Sequence, residues 1–262
     1  MVFKIMMPER TTGETNKGTD MKKKKWPLIT ACAIIALLVI SYCFYNGILW
    51  FTNPSLSQFP VRGIDVSHHQ GEIDWKRLSQ ENILFAFIKA TEGGDFVDPR
   101  FAVNWAAALE TDLRVGAYHF FRPEKTGREQ ARNFIRTVPK RDKALPPVLD
   151  VECPSASSET KRLAIRNNIA ECLLLLEEHY GVTPIIYATS EAYETYLRGE
   201  FGRYPLWIRS IFTEPAIADG RDWVFWQFSN RGKLPGYAGR ETFIDLNVFK
   251  GTREDFAHFG QQ

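Results

Sequence analysis

The chain predicts an α/β protein: an irregular (β/α) TIM-like barrel of about eight strands and about five helices, preceded by one transmembrane helix. Eight short apolar runs rich in β-branched and aromatic residues succeed one another between residues 61 and 248. Helix-patterned stretches separate most of them at lengths that suit right-handed crossovers between parallel strands. No charged residue lies between Lys25 and Arg62, which sets the N-terminal part apart from the rest. An open doubly wound sheet is the competing architecture for the strand-rich part.

The N-terminal elements follow from charge. Residues 1–25 hold seven Lys/Arg, including Lys22 to Lys25, against three acids, and read as a cytoplasmic basic tail. Residues 1–20 show no motif, and Met21 is a candidate start. Residues 26–51 read as a transmembrane signal anchor, because about 20 apolar residues suffice to span the hydrocarbon core. The lysines precede this run and Tyr42, Phe44, Tyr45, Trp50 and Phe51 crowd its far end, as the positive-inside rule and an interfacial aromatic belt require. A cleaved signal peptide competes, but bulky aromatics stand where its small-x-small site belongs. The expected location is therefore the inner (cytoplasmic) membrane, single-pass, with the rest of the chain outside the cytoplasm. Residues 52–61 read as a polar, proline-containing linker, and residues 62–262 as the barrel.

Within the barrel, strands are expected near 61–66, 83–90, 114–120, 147–151, 183–188, 206–208, 223–227 and 242–248. Helices are expected near 74–80, 99–111, 126–138, 159–180 and 191–197. The fourth is the best defined, with Leu163, Ile165, Ile169, Cys172, Leu173 and Leu176 at helical spacing and Gly181 as its stop. Cys153 follows a strand end and Cys172 lies well down that helix, so two free thiols are expected rather than a disulfide. The whole chain is 44% hydrophobic and 13% aromatic, enough for a sizeable core. Beyond residue 25 it holds 26 basic and 28 acidic residues, a net charge of −2. No nucleic-acid partner is expected from that balance.

The chemistry gathers at strand ends. Leu145-Pro-Pro-Val-Leu-Asp-Val-Glu152 reads as an apolar strand delivering Asp150 and Glu152 to one face, since residues two apart emerge together. Two carboxyl groups held that close rarely ionise alike, and split pairs of this kind serve acid/base chemistry on glycosidic bonds. In a closed barrel the carboxyl ends of the strands converge on one face. Asp65, Tyr118, Phe120, Tyr187, Trp226, Gln227 and Asp245 then join the pair around a cleft. Carboxylates beside aromatic platforms suit sugar rings.

Six blocks carry a specific resemblance: Gly63-Ile-Asp-Val-Ser-His68, Phe87-Ile-Lys-Ala-Thr-Glu-Gly93, Gly116-Ala-Tyr-His-Phe-Phe121, Leu149-Asp-Val-Glu152, Trp226-Gln-Phe-Ser229 and Asp245-Leu-Asn-Val-Phe249. In this order they resemble the family-25 glycoside hydrolases, the Chalaropsis-type lysozymes. The resemblance implies an irregular α/β barrel and a muramidase cleaving the β-1,4 bond between N-acetylmuramic acid and N-acetylglucosamine in peptidoglycan. By motif, Glu152 resembles the general acid/base, with Asp150, Asp65 and Asp245 as supporting carboxylates. Tyr118, Phe120, Tyr187, Trp226 and Gln227 are the expected glycan contacts. Attack by the substrate's own 2-acetamido oxygen, with Asp150 orienting the amide, and double displacement at an Asp nucleophile both remain open.

Two other readings compete. Asp65, His68, His69 and His119 suggest a metal-dependent deacetylase, but the histidines lack i, i+4 zinc spacing and no H-E-x-x-H occurs. A wall-binding module without catalysis would keep the aromatics and drop a carboxylate. No cofactor and no metal are expected, and without a Gly-rich phosphate loop or a G-x-S-x-G elbow the nucleotide and serine-hydrolase readings have little support. Partners are peptidoglycan glycan strands and, through the N-terminal helix, the membrane. The sequence leaves the oligomeric state open, with a monomer as the expectation.

Overall fold

The computed structural model describes residues 18–261, so the first 17 residues of the expected basic tail lie outside the described residues. Two compact units are present, Met1–Leu49 and Trp50–Gln262. In the first, helix α1 spans Gly18–Tyr45. Its segment Trp26–Tyr45 is long and apolar enough to cross a membrane, judged by length and composition. The helix stops where Gly47 takes φ 67°, a left-handed conformation that costs glycine little. The amides of Ile48 and Leu49 then turn back to the Cys43 carbonyl.

The second unit begins with β1 (Arg62–Val66), β2 (Glu72–Ile73), α2 (Trp75–Leu78), β3 (Phe85–Glu92), β4 (Phe96–Val97) and α3 (Phe101–Ala108). There follow β5 (Arg114–Phe120), α4 (Gly127–Thr137), β6 (Val148–Val151), α5 (Glu159–Tyr180), β7 (Ile185–Thr189) and α6 (Ser190–Ala192), which runs into a π-helical turn at Tyr193–Leu197. The chain closes with β8 (Leu206–Arg209), β9 (Phe225–Gly232), β10 (Tyr237–Ala238), β11 (Ile244–Phe249) and α7 (Arg253–His258). The helices start where side chains can cap them. Ser158 accepts the Lys161 amide to open α5, and Thr126 and Glu129 form a reciprocal capping box for α4.

Eight strands make a closed barrel in the order β1, β11, β9, β8, β7, β6, β5, β3, with β3 pairing back to β1. All pairs are parallel except the two made by β11, which runs against both β9 and β1. The eight expected strands are all present, and β11 departs from parallel order for a simple reason. Only an irregular stretch with the short β10 joins β9 to β11, too little for a helical crossover. The missing crossover helices after β8 and β9 match the expected irregularity. A helix the sequence reading left out, α7, is only six residues long and covers one end of the barrel with Phe256, packed on Phe85 and Phe249.

Strand alternation divides the side chains cleanly. Phe85, Phe87, Val148, Ile185, Tyr187, Trp207, Phe225 and Phe249 form one buried cluster inside the barrel. Ile64, Ile88, Val115, Leu149, Ile186, Ile208, Trp226 and Val248 point outward into a second cluster shared with the helices. The interior is crowded with rings: Phe87 stacks on Trp207 at 4.7 Å, and Phe225 meets Phe85 edge-on at 5.2 Å. Two glycines make this possible. A Cβ on Gly63 would lie 2.3 Å from the Phe85 ring, and one on Gly116 would lie 2.5 Å from Phe87. Thr52, Phe59 and Val61 are buried, so the expected linker 52–61 is laid along the barrel rather than hanging free of it.

Overpacking of this kind costs roughly 1–3 kcal/mol. Gly116→Ala is therefore expected to lower the melting temperature of the purified chain by several degrees in circular dichroism. Adding Phe87→Leu should restore part of the loss. Equal melting of Gly116→Ala and the parent chain would show that the ring does not need the space.

Candidate active site

The same alternation that fills the lower barrel with rings brings polar side chains to its open end. Each sits two residues beyond an inward apolar residue: Asp65 after Gly63, Asp150 after Val148, Arg209 after Trp207 and Gln227 after Phe225. Together with Lys89 and Tyr118 they line a cleft of ≈ 550 Å³. Asp245 reaches it by another route. In the antiparallel β1–β11 ladder Asp65 and Asp245 are direct register partners, so both carboxyls face the cleft side by side. Asp245 thus lies at the start of its strand, not at the carboxyl end.

A continuous hydrogen-bond chain holds these groups. Trp207 Nε1 donates to Asn247 Oδ1 at 2.9 Å. Asn247 Nδ2 donates to Asp65 Oδ2 at 2.7 Å, and Gln227 Nε2 donates to the same oxygen at 3.1 Å. The Tyr187 hydroxyl stands 2.8 Å from Gln227 Oε1 and 2.9 Å from Glu152 Oε1. Asp65, Asp150, Gln227 and Asn247 are buried, whereas Glu152 is exposed at the cleft wall. Among the described residues Asp150 Oδ1 has no hydrogen-bond partner.

Burial sets the electrostatics. Withdrawal from water pushes Asp65 up to about 6, against the opposing pull of the hydrogen bonds from Asn247 and Gln227. Burial also holds Asp150 well above the usual carboxylate range, and the charges of Glu152 and Asp65 add to it. Asp245 is raised in the same direction, first by burial and then by the charge of Asp65 beside it. The phenols of Tyr118 and Tyr187 are pushed up by burial and by the carboxylates around them. Asp65, Asp150 and Asp245 are therefore all shifted toward the protonated form relative to carboxyl groups in water.

Of the expected site residues, Asp65, Tyr118, Phe120, Asp150, Glu152, Tyr187, Gln227 and Asp245 all line the one cleft. Trp226 does not. It lies in the outer cluster beside Phe59 and Trp223, and its Nε1 donates to the Ser210 carbonyl at 2.7 Å. Neighbours on a strand face opposite sides, so Trp226 and Gln227 cannot both enter the cleft. Trp207 takes the inward aromatic position instead. Residue parity along β8 places it inward with Arg209, a signal that the apolar character of the run does not carry. Asn247 was passed over too, although it stands two residues from Asp245. The residues weighed as metal ligands are not gathered: His68 Nδ1 lies 2.7 Å from Asp98 Oδ2, while His119 faces outward between Thr91 and Gln130. All four cysteines are free.

A closed α/β barrel whose open end carries four carboxyl groups amid aromatic rings is the scaffold of a glycoside hydrolase. The profile of glycosyl hydrolases family 25 matches residues 64–237, and the chain belongs to that family. Among solved structures it is similar to a family 25 glycosyl hydrolase from Bacillus anthracis, with 45% identity and a TM-score of 0.75 over 81% of this chain and 98% of that one. It is 39% identical to the uncharacterized protein YegX of Escherichia coli K12 over 225 residues, 84% of this chain and 80% of that protein. Lysozyme M1 of Streptomyces globisporus is 32% identical over 208 residues, 73% and 68% of the two chains.

The raised Asp65 makes a stability prediction with a definite sign. Its proton is bound more tightly in the folded chain than in the unfolded one. Its contribution is neutral below pH ~4 and becomes a cost as pH rises toward and past 6, reaching on the order of 3 kcal/mol. Asp65→Asn can keep both acceptor bonds through its amide oxygen and carries no charge. It should melt several degrees higher than the parent at pH 7.5, with the gain shrinking to nothing near pH 4, while catalysis falls. An unchanged difference between the two pH values would refute the linkage.

Proposed function

We propose that this chain is a muramidase that hydrolyses the β-1,4 bond between N-acetylmuramic acid and N-acetylglucosamine in peptidoglycan, with Glu152 as general acid/base. The observation that carries the reading is the division among the four carboxyl groups. Glu152 alone is exposed at the cleft wall, with Asp65 and Asp150 buried and Asp245 half-buried around it. Its relatives include proteins named Lysozyme M1 and N,O-diacetylmuramidase, which supports the substrate class.

The hydrogen bonds suit a group that gives and regains a proton. Gln227 commits its amide nitrogen to Asp65, so its Oε1 can only accept. The single Tyr187 proton can go to Gln227 or to Glu152, but not to both. When Glu152 is ionised, Tyr187 donates to it; when Glu152 is protonated, Glu152 donates to the phenol oxygen and Tyr187 donates to Gln227. The second state makes both contacts of the phenol, whereas in the first Gln227 Oε1 gives up its donor to Glu152. In the first step the Glu152 proton passes to the glycosidic oxygen as the bond from C1 to that oxygen breaks. The 2-acetamido oxygen attacks C1 and closes an oxazolinium ring, and the Asp150 carboxylate offers its unpartnered Oδ1 to the amide N–H. Water then adds at C1, Glu152 takes its proton, and the acetamido group is released.

Tyr118 and Phe120, half-buried on β5, are the sugar platforms in this reading, with Tyr187 and Gln227 beneath. The segment Trp26–Tyr45 acts as a single-pass anchor in the cytoplasmic membrane, which places residues 50–262 on the extracytoplasmic side with the wall.

Glu152→Gln should lower turnover on peptidoglycan by roughly 10²-fold or more while glycan binding persists. Retention of more than about a tenth of parental turnover would remove Glu152 from the role. Mass spectrometry of the released muropeptides should find muramic acid at the reducing end. Glucosamine there would sink the muramidase assignment, and release of acetate without chain cleavage would point to a deacetylase.

A further inference from the structure

Past the candidate span, the chain does not trail away from the barrel. Trp50 Nε1 donates to the Phe228 carbonyl at 3.1 Å, and the Thr52 hydroxyl donates to the same carbonyl at 2.6 Å. Between these two anchored residues Phe51 is 57% exposed, and it meets Phe212, 61% exposed, edge-on at 5.0 Å. Two large rings thus remain more than half exposed beside residues tied to the barrel by hydrogen bonds. Exposed aromatic pairs of this kind mark contact surfaces.

Chain length identifies what meets this one. Only six residues lead from Tyr45, the end of the span, to Phe51, at most ~20 Å of extended chain. The real reach is shorter, since Ile48 and Leu49 turn back onto the Cys43 carbonyl. A bilayer's polar layer is itself about 5–8 Å deep on each side, and aromatic rings settle at that depth. The loop 210–222 that carries Phe212 offers no cationic patch. Glu214, Asp219 and Asp222 outnumber Arg221, whose guanidinium is spent on the Phe201 and Tyr204 carbonyls. Attraction to anionic lipid is therefore not the driving force.

We propose that the Phe51–Phe212 pair inserts into the membrane–water interface as an apolar foot. This rests on the reading of Trp26–Tyr45 as an anchor. The foot lies beside the cleft: Phe212 stands three residues beyond Arg209 of the cleft wall, and the Phe228 carbonyl that takes Trp50 and Thr52 stands two residues before the cleft residue Asn230. The β8–β9 edge of the opening is thereby kept at the lipid surface, and the glycan it meets is the strand lying against the membrane rather than the outer wall.

The test uses the full chain with Cys32→Ala and Cys43→Ala, reconstituted in phosphatidylcholine vesicles, with an environment-sensitive NBD label on Phe212→Cys. Val103→Cys, on α3 at the far side of the barrel and also 61% exposed in the parent, is the comparison site, and Thr213→Cys is a second probe should Phe212→Cys fold poorly. Flotation of the vesicles reports the anchor separately. The expected result is a blue-shifted emission at the loop probe, quenched by doxyl-labelled lipid and unchanged in high salt, with Val103→Cys as in water. Floating chains with a water-like signal at Phe212→Cys and Thr213→Cys would overturn the foot and leave the anchor standing. Equal shifts at the loop and Val103, or a shift that needs anionic lipid, would also overturn it. Failure to float would remove the anchor and the foot together.

Discussion

Five strands of the barrel are tied through one carboxylate oxygen. Asp65 Oδ2, on β1, accepts from Asn247 of β11 and Gln227 of β9. Through them it reaches Trp207 of β8 and Tyr187 of β7. A buried carboxylate needs donors to offset lost hydration, so these residues must arrive at fixed heights and angles. The antiparallel β11 is the means. It sets Asp245 opposite Asp65 and Asn247 next to Asp65 on the same face, which a parallel strand in that place would not do in the same register. The irregularity of the barrel is thus part of how the cleft is built.

The cost is a cluster of acids with few cations. Lys89 lies in the cleft but donates to Glu92 at 2.6 Å, and Arg209 only partly offsets Asp245. Charge repulsion and burial act together, and both favour the protonated forms of Asp65, Asp150 and Asp245. A stable fold would not choose this arrangement for its own sake. Folds commonly give up stability at functional sites in this way. The stability comes from the layer beneath, where packed aromatic rings and two strand glycines fill the barrel interior, and the Trp207 N–H and Tyr187 hydroxyl find partners in the network above.

Much of this was legible residue by residue. Apolar β-rich runs located all eight barrel strands, and helical spacing with the Gly181 stop marked α5, because both signals are local to the chain. Asp65, Asp150, Glu152 and Asp245 could be named from position at apolar run ends, and all four line the cleft. Trp226 was misplaced because an aromatic beside a cleft residue looks like a cleft residue until parity is counted. The roles of Trp207 and Asn247 depend on each other across two strand positions of the barrel and 40 residues of sequence, and no local pattern carries that.

The sequence by itself determined the secondary elements, the membrane-length apolar run and the set of acids, since periodicity, hydropathy and motif spacing are properties of the chain alone. The six motif blocks also sufficed to suggest the family. Only the tertiary structure decided that β11 runs antiparallel, that residues 52–61 lie along the barrel, and which carboxyl groups are buried and which one meets solvent. Those depend on barrel closure, which converts residue parity into inside and outside. Burial then separates exposed Glu152 from buried Asp65 and Asp150, with Asp245 half-buried between those extremes.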